Sequence, residues 1–159
     1  MCHVLHLPET HPRPKSVLCG TAADIAEDNF NLALARRQVY DPAKLPWMYW
    51  SANERARCAA YVRSYGEVAP PKCLPSDLVV HLGDDPRNEG GWTTWSAKSG
   101  AIPTLRHAGG LIVAPFGQRQ LLLKELYVAM GFPAMAFAAE AGRVPLYEVF
   151  RPMATYNDM

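Results

Sequence analysis

Long apolar runs are missing from this chain of 159 residues. No window approaches the ~18 unbroken apolar residues of a membrane-spanning helix. The opening Met1-Cys2-His3-Val4-Leu5-His6-Leu7-Pro8 lacks a basic stretch followed by an apolar one, so no signal peptide is expected and the chain is read as intracellular. Cysteine is scarce: Cys2, Cys19, Cys58 and Cys73 are scattered without framework spacing and are expected as reduced thiols. Net charge is nearly absent, with 16 Lys plus Arg against 15 Asp plus Glu. A domain held to nucleic acid by charge alone would carry a basic excess, so autonomous electrostatic binding is disfavoured. There is no internal repeat and no low-complexity tract.

What is present is enough apolar material for one core. Hydrophobic residues make up 49% and charged residues 19%, a composition that excludes a disordered tail. The length suits one domain. Fourteen prolines against 11 glycines predict short elements between ordered loops. The expected fold class is α+β: several short helices and one β-hairpin in a small, fragment-like domain.

The chain divides into three stretches. Residues 1–20, rich in Pro and His, are expected to be an irregular arm. Its Cys2, His3, His6, His11 and Cys19 are enough ligands for zinc, but their spacing matches no paired-ligand knuckle, and no metal site is assigned. Residues 21–75 form a helical, aromatic-rich segment. Thr21 and Asp24 can cap a helix over 22–37. Trp47-Met48-Tyr49-Trp50 is expected to be extended or loop-like, with its aromatics packed onto the core. Ser51-Ala-Asn-Glu54 is a capping box for a helix ending near Tyr65, with Gly66 as its stop. In residues 76–159, Ser76 is expected to cap a short helix, Asp77 to Leu82. The hairpin is placed at about 100–116, with apolar arms Gly100 to Leu105 and Leu111 to Phe116 around a turn ending in Gly109-Gly110. Pro103 and Pro115 lack an amide hydrogen and belong at edges or strand ends. A helical pattern follows over 121–130, then Gly131-Phe132-Pro133 and an Ala-rich helix over 134–141.

The ordered combination in this last stretch carries a resemblance. Ser96-Ala-Lys-Ser-Gly100-Ala-Ile-Pro103-Thr104-Leu105, then Gly109-Gly110, then Arg119-Gln-Leu121, Glu125 and Gly131-Phe132-Pro133 resemble the C-terminal part of the DNA (cytosine-5) methyltransferase family, of a divergent, protist-like type. The resemblance implies a target-recognition segment whose Arg-x-Leu…Glu…Gly-Phe-Pro element organises the recognition region against a catalytic domain. It also implies DNA methylation, and hence DNA, the missing catalytic domain and S-adenosylmethionine, as properties of a full-length relative, with nuclear placement if the protein acts on DNA.

The chemistry itself is not spelled in this chain. Methylating C5 of cytosine needs a thiolate to add at C6 and an acid near N3. Cys73 stands one residue too late for the family's Pro-Pro-Cys loop, Glu148-Val149 lacks the intervening Asn, and there is no Phe-x-Gly-x-Gly loop. The family's Thr-Pro before the helix is Leu122-Leu123 here. No catalytic residue and no cofactor are assigned to this chain, and it is expected to be inactive alone. The DNA-contacting candidates are Arg106, His107 and Arg119, with Arg55, Arg57 and Arg63 as further phosphate contacts. Trp47, Tyr49, Trp50, Trp92 and Trp95 fit a core better than a base-stacking surface. The alternative is a non-enzymatic protein-interaction module using the aromatics around Trp47–Trp50, or a truncated gene product.

Overall fold

The computed structural model describes residues 14–68, 73–85, 102–103 and 110–129. Among them four α-helices and a three-stranded antiparallel sheet realise the α+β class. The helices are α1 (Pro14–Val17), α2 (Ala22–Ala35), α3 (Ala52–Val68) and α4 (Leu123–Ala129). The strands are β1 (Val80–His81), β2 (Ile112–Ala114) and β3 (Arg119–Gln120).

The end of the expected arm is ordered. Proline pre-sets φ for a first helical position, and Pro14 opens the single turn of α1 with both Pro14 and Val17 buried. The earlier part of the arm lies outside the described residues. Helix α2 begins where the sequence places it. Asp24 N–H donates to Thr21 Oγ1 at 3.2 Å, and Thr21 N–H returns a bond to the Asp24 carboxylate at 2.7 Å. The same reciprocal box opens α3, from Glu54 N–H to Ser51 Oγ at 3.2 Å and from Ser51 N–H to Glu54 Oε2 at 2.6 Å.

Of the two forms expected for the aromatic segment, residues 46–49 take the loop-like one, a 3-10 turn, because Pro46 suits a first helical position and Met48 N–H closes onto Leu45 C=O at 2.9 Å. Two expectations are corrected. Helix α3 passes through Gly66 to Val68. A glycine ends a helix when it turns left-handed; here Tyr65 holds the last turn instead, donating to Cys73 C=O at 3.0 Å and setting its ring edge-on to Phe116. Residues 77–82 are not a helix. A 3-10 turn at Pro75–Asp77 leads into β1, since the buried run Leu78-Val79-Val80 is a continuous apolar stretch of the kind that periodicity alone cannot assign.

The hairpin is shifted along the chain. Strand β2 lies at the expected second arm, but its turn is Pro115–Gln118 and its partner is β3, in the register Val113↔Gln120 and Ala114↔Arg119. Gln118 takes φ 51 to close the loop. On its other edge β2 pairs with β1, Val80↔Val113 and His81↔Ile112. Ile102 and Pro103 lie in no strand; the rest of the expected first arm lies outside the described residues. Pro115 follows the last residue of β2, as a residue without an amide hydrogen should.

Alternation along β2 divides the interior. Val113 faces a cluster of Leu32, Ala33, Tyr49, Trp50, Tyr61, Tyr65, Leu78, Val80 and Leu82. Ile112 and Ala114 face Val79 and Leu121, with Leu18, Ile102 and Leu126 beside them. The central strand is therefore buried on both faces. No helix among the described residues is long and apolar enough to cross a membrane.

Candidate functional site

The residues of the Arg-x-Leu…Glu pattern meet where β3 runs into α4. Arg119 lies on β3, Leu121 follows it, and Glu125 occupies the first turn of α4. Arg119 Nη1 and Nη2 donate to the two carboxylate oxygens of Glu125, each at 2.7 Å, and Nη1 also reaches Gln120 C=O at 2.9 Å. Fork-on-fork pairing of this kind is directional as well as strong. The Glu125 side chain is 0% exposed and that of Arg119 12%, so the pair is an internal fixture. A buried carboxylate needs further donors. Glu125 receives them from Leu122 N–H at 3.0 Å and from Gly20 N–H at 2.8 Å.

The Leu122 bond replaces the cap that the sequence lacks. With leucine in place of a hydroxyl residue before α4, half of a capping box is gone; Glu125 supplies the other half by reaching back to the amide of Leu122. The Gly20 bond joins residues 105 positions apart and ties the N-terminal stretch to α4. A Cβ on Gly20 would run into the end of the Leu122 side chain and lie 3.1 Å from Glu125 Oε1, so a larger residue there requires Leu122 to shift. Nearby, the Lys124 ammonium and the Asp24 carboxylate form a second bridge between α4 and the start of α2. Hydrogen bonds from Lys124 and Thr21 lower the Asp24 carboxyl to about 2.

A second polar unit sits one residue away and was not anticipated. Gln120 accepts from Trp50 Nε1 at 3.0 Å and donates to Asp28 Oδ2 at 2.7 Å and Asn29 Oδ1 at 3.1 Å. It thereby joins β3, the turn before α3 and the middle of α2. The available signal was the period of two: with Arg119 and Leu121 turned one way, Gln120 must face the opposite, buried side.

Of the other motif residues, Gly110 has a clear local task. It adopts φ 90, and a Cβ there would lie 3.1 Å from Gly83 N, so it lets the chain enter β2 against the end of β1, where Leu82 N–H donates to Leu111 C=O at 2.8 Å. Leu121 is buried in the second cluster and Pro103 is half-buried. Gly100, Thr104, Leu105, Arg106, His107, Gly109, Gly131, Phe132 and Pro133 lie outside the described residues, as do Trp92 and Trp95.

The arginines of α3 divide. Arg55 donates to Trp50 C=O, and Arg57 to Leu82 C=O at 2.8 Å and Gly83 C=O at 3.0 Å, so both brace the fold. Arg63 is exposed. Tyr49 and Trp50 are buried, as the core reading of these aromatics expects, and only Met48 of that segment is well exposed, at 43%; the surface that the alternative reading places around Trp47–Trp50 is largely core. Cys19 and Cys58 are free thiols, and burial pushes the Cys58 thiol up to about 11, the reverse of an activated nucleophile.

Among the described residues no group of three or more His, Cys, Asp and Glu could hold a metal ion. No protein-family model, curated protein or solved structure matches this chain.

Proposed function

We infer that the chain is a non-catalytic, target-recognition-type segment of a DNA cytosine-5 methyltransferase-like protein, a scaffold that holds recognition residues and leaves methyl transfer to a separate catalytic region. The observation that carries this reading is the joining of the motif residues Arg119 and Glu125 into one buried pair at the β3–α4 junction, with the intervening Leu121 buried in the second cluster. The resemblance implies an organising role for that element, and a four-donor carboxylate at the meeting point of two helices and a strand is a means of organising. DNA contact falls to Arg106 and His107 in the stretch just before β2, and to the exposed Arg63. Arg119, with both terminal nitrogens on Glu125, is left out of the phosphate contacts.

The test is a titration of fluorescent duplex DNA with the purified chain across salt, alongside an assay with labelled S-adenosylmethionine. About three phosphate contacts should make affinity fall roughly 40-fold between 50 and 200 mM salt. Arg106→Ala with His107→Ala should flatten that slope, and no label should reach the DNA. Affinity that is absent at low salt, or indifferent to salt, sinks the reading; methyl transfer by the chain alone sinks its non-catalytic part. The alternative of a protein-interaction module draws support from a different surface, the exposed side chains of α2.

A further inference from the structure

Helix α2 turns one face inward through Asn29, Leu32 and Ala33. Its opposite face carries Ala23, Glu27, Phe30 and Leu34, with Arg37 just past the helix end, all exposed. Phe30 is 48% and Leu34 66% exposed. The intervals of four, three and four residues from Ala23 to Leu34 are those of a helix–helix seam, and Arg37 stands just beyond the cap. Phe30 is also braced. Tyr40 meets it edge-on with centroids 5.5 Å apart, and Tyr40 in turn stacks at 6.0 Å on the buried Tyr49. A pre-positioned aromatic loses little freedom on binding, which is how interface anchors work.

The charges at the two ends of this strip are opposite, and neither Glu27 nor Arg37 has a partner within the described residues. In an antiparallel pairing of two copies, facing residues have numbers with a constant sum. Setting Phe30 against Leu34 of the second copy brings Glu27 to the C-terminal end of the second copy's α2, where Arg37 follows the cap at φ 54, and the twofold axis repeats both contacts. A parallel pairing would instead place Glu27 on Glu27 and Arg37 on Arg37. We propose that the exposed face of α2 is a self-association surface on which a second copy of this chain docks antiparallel, Phe30 on Leu34 and Glu27 on Arg37. The proposal does not depend on the DNA reading. The contact covers residues 27–37 of each copy, of which 27–35 are roughly 14 Å of helix; this is less than a standard interface and points to a weak dimer.

Sedimentation velocity on the full chain from roughly 5 to 500 μM tests this. The expected result is a reversible monomer–dimer equilibrium that weakens with salt. Leu34→Ser should weaken it at least tenfold or so, with an unchanged melting curve because Leu34 is mostly exposed. Glu27→Arg should weaken it by bringing like charges together, and adding Arg37→Glu should restore it to within about twofold of the wild type. A monomer at every concentration overturns the proposal and leaves the strip to a different protein. Association that ignores Leu34→Ser, or charge reversal that does not restore it, overturns it equally.

Discussion

At the scale of single residues, the β3–α4 junction shows how one carboxylate can hold together parts that are distant in sequence. Glu125 binds an arginine on a strand, the first amide of its own helix and the amide of Gly20. Removing one member of such a pair leaves a buried charge without compensation, so Glu125→Gln or Arg119→Met should each cost about 3–5 kcal/mol. The double variant should cost less than the sum of the two by about 0.5–3 kcal/mol. Chemical denaturation of the four proteins measures this, and strict additivity would show that the two side chains act independently. The pairing was half legible. Sequence marks Arg119, Leu121 and Glu125 through the family pattern and names a phosphate contact or a solvated charge as their alternatives. It does not reveal Gly20, because nothing local signals a contact across 105 positions.

At the scale of elements, starts were more legible than stops. Thr21 and Ser51 fix the beginnings of α2 and α3 through hydrogen bonds that span three residues and are written in the local sequence. The end of α3 depends on Tyr65 docking against Phe116 and Cys73, which no window of α3 contains. Gly66 is therefore an ordinary helical position with nothing within 4 Å of a would-be Cβ. Gly66→Ala should raise stability by about 0.5–1 kcal/mol, read as a higher melting temperature. A left-handed Gly66 would give the opposite sign. The hairpin was misplaced for a similar reason: Leu111–Phe116 reads as a strand, but its partners are selected by burial on both faces, not by the nearest glycine turn.

The two capping boxes also set the acid limit of these helices. Burial works to raise the Glu54 carboxyl, but hydrogen bonds from Arg36 and Ser51 together outweigh it and leave it below the usual value. Asp24 is drawn down to about 2 by Lys124 and Thr21. A carboxyl depressed in the folded state binds its proton more readily when unfolded, so its contribution is complete above the ordinary carboxylate pKa and fades as pH falls. Melting temperature should hold from pH 7 to about 5, then fall from about pH 4 toward 2. Asp24→Asn and Glu54→Gln should each make that fall shallower while lowering the plateau at pH 7. An unchanged acid limb in both variants would remove these carboxylates from the account.

At the scale of the molecule, the cluster on the Val113 side draws six of its ten buried residues from 32–65 and four from 78–113. The resemblance falls on the C-terminal stretch, yet that stretch cannot enclose this core by itself. A chain beginning at residue 76 should show no cooperative melt and little near-ultraviolet circular dichroism, whereas the full chain should show both. A cooperative transition in the shortened chain would mean that the second cluster suffices.

The bond between Gly20 and Glu125 also has a meaning in time. Ribosomes add about 5–20 residues each second, so the amide of Gly20 waits roughly 5–20 s for its acceptor to be made. Within that interval Leu32 and the Tyr49–Trp50 pair lack strand cover until Val80 and then Val113 have been made. Nascent copies of this protein are thus natural clients for chaperones that bind apolar segments, and synonymous changes that slow synthesis between residues 66 and 125 should lengthen the exposure without altering the finished fold.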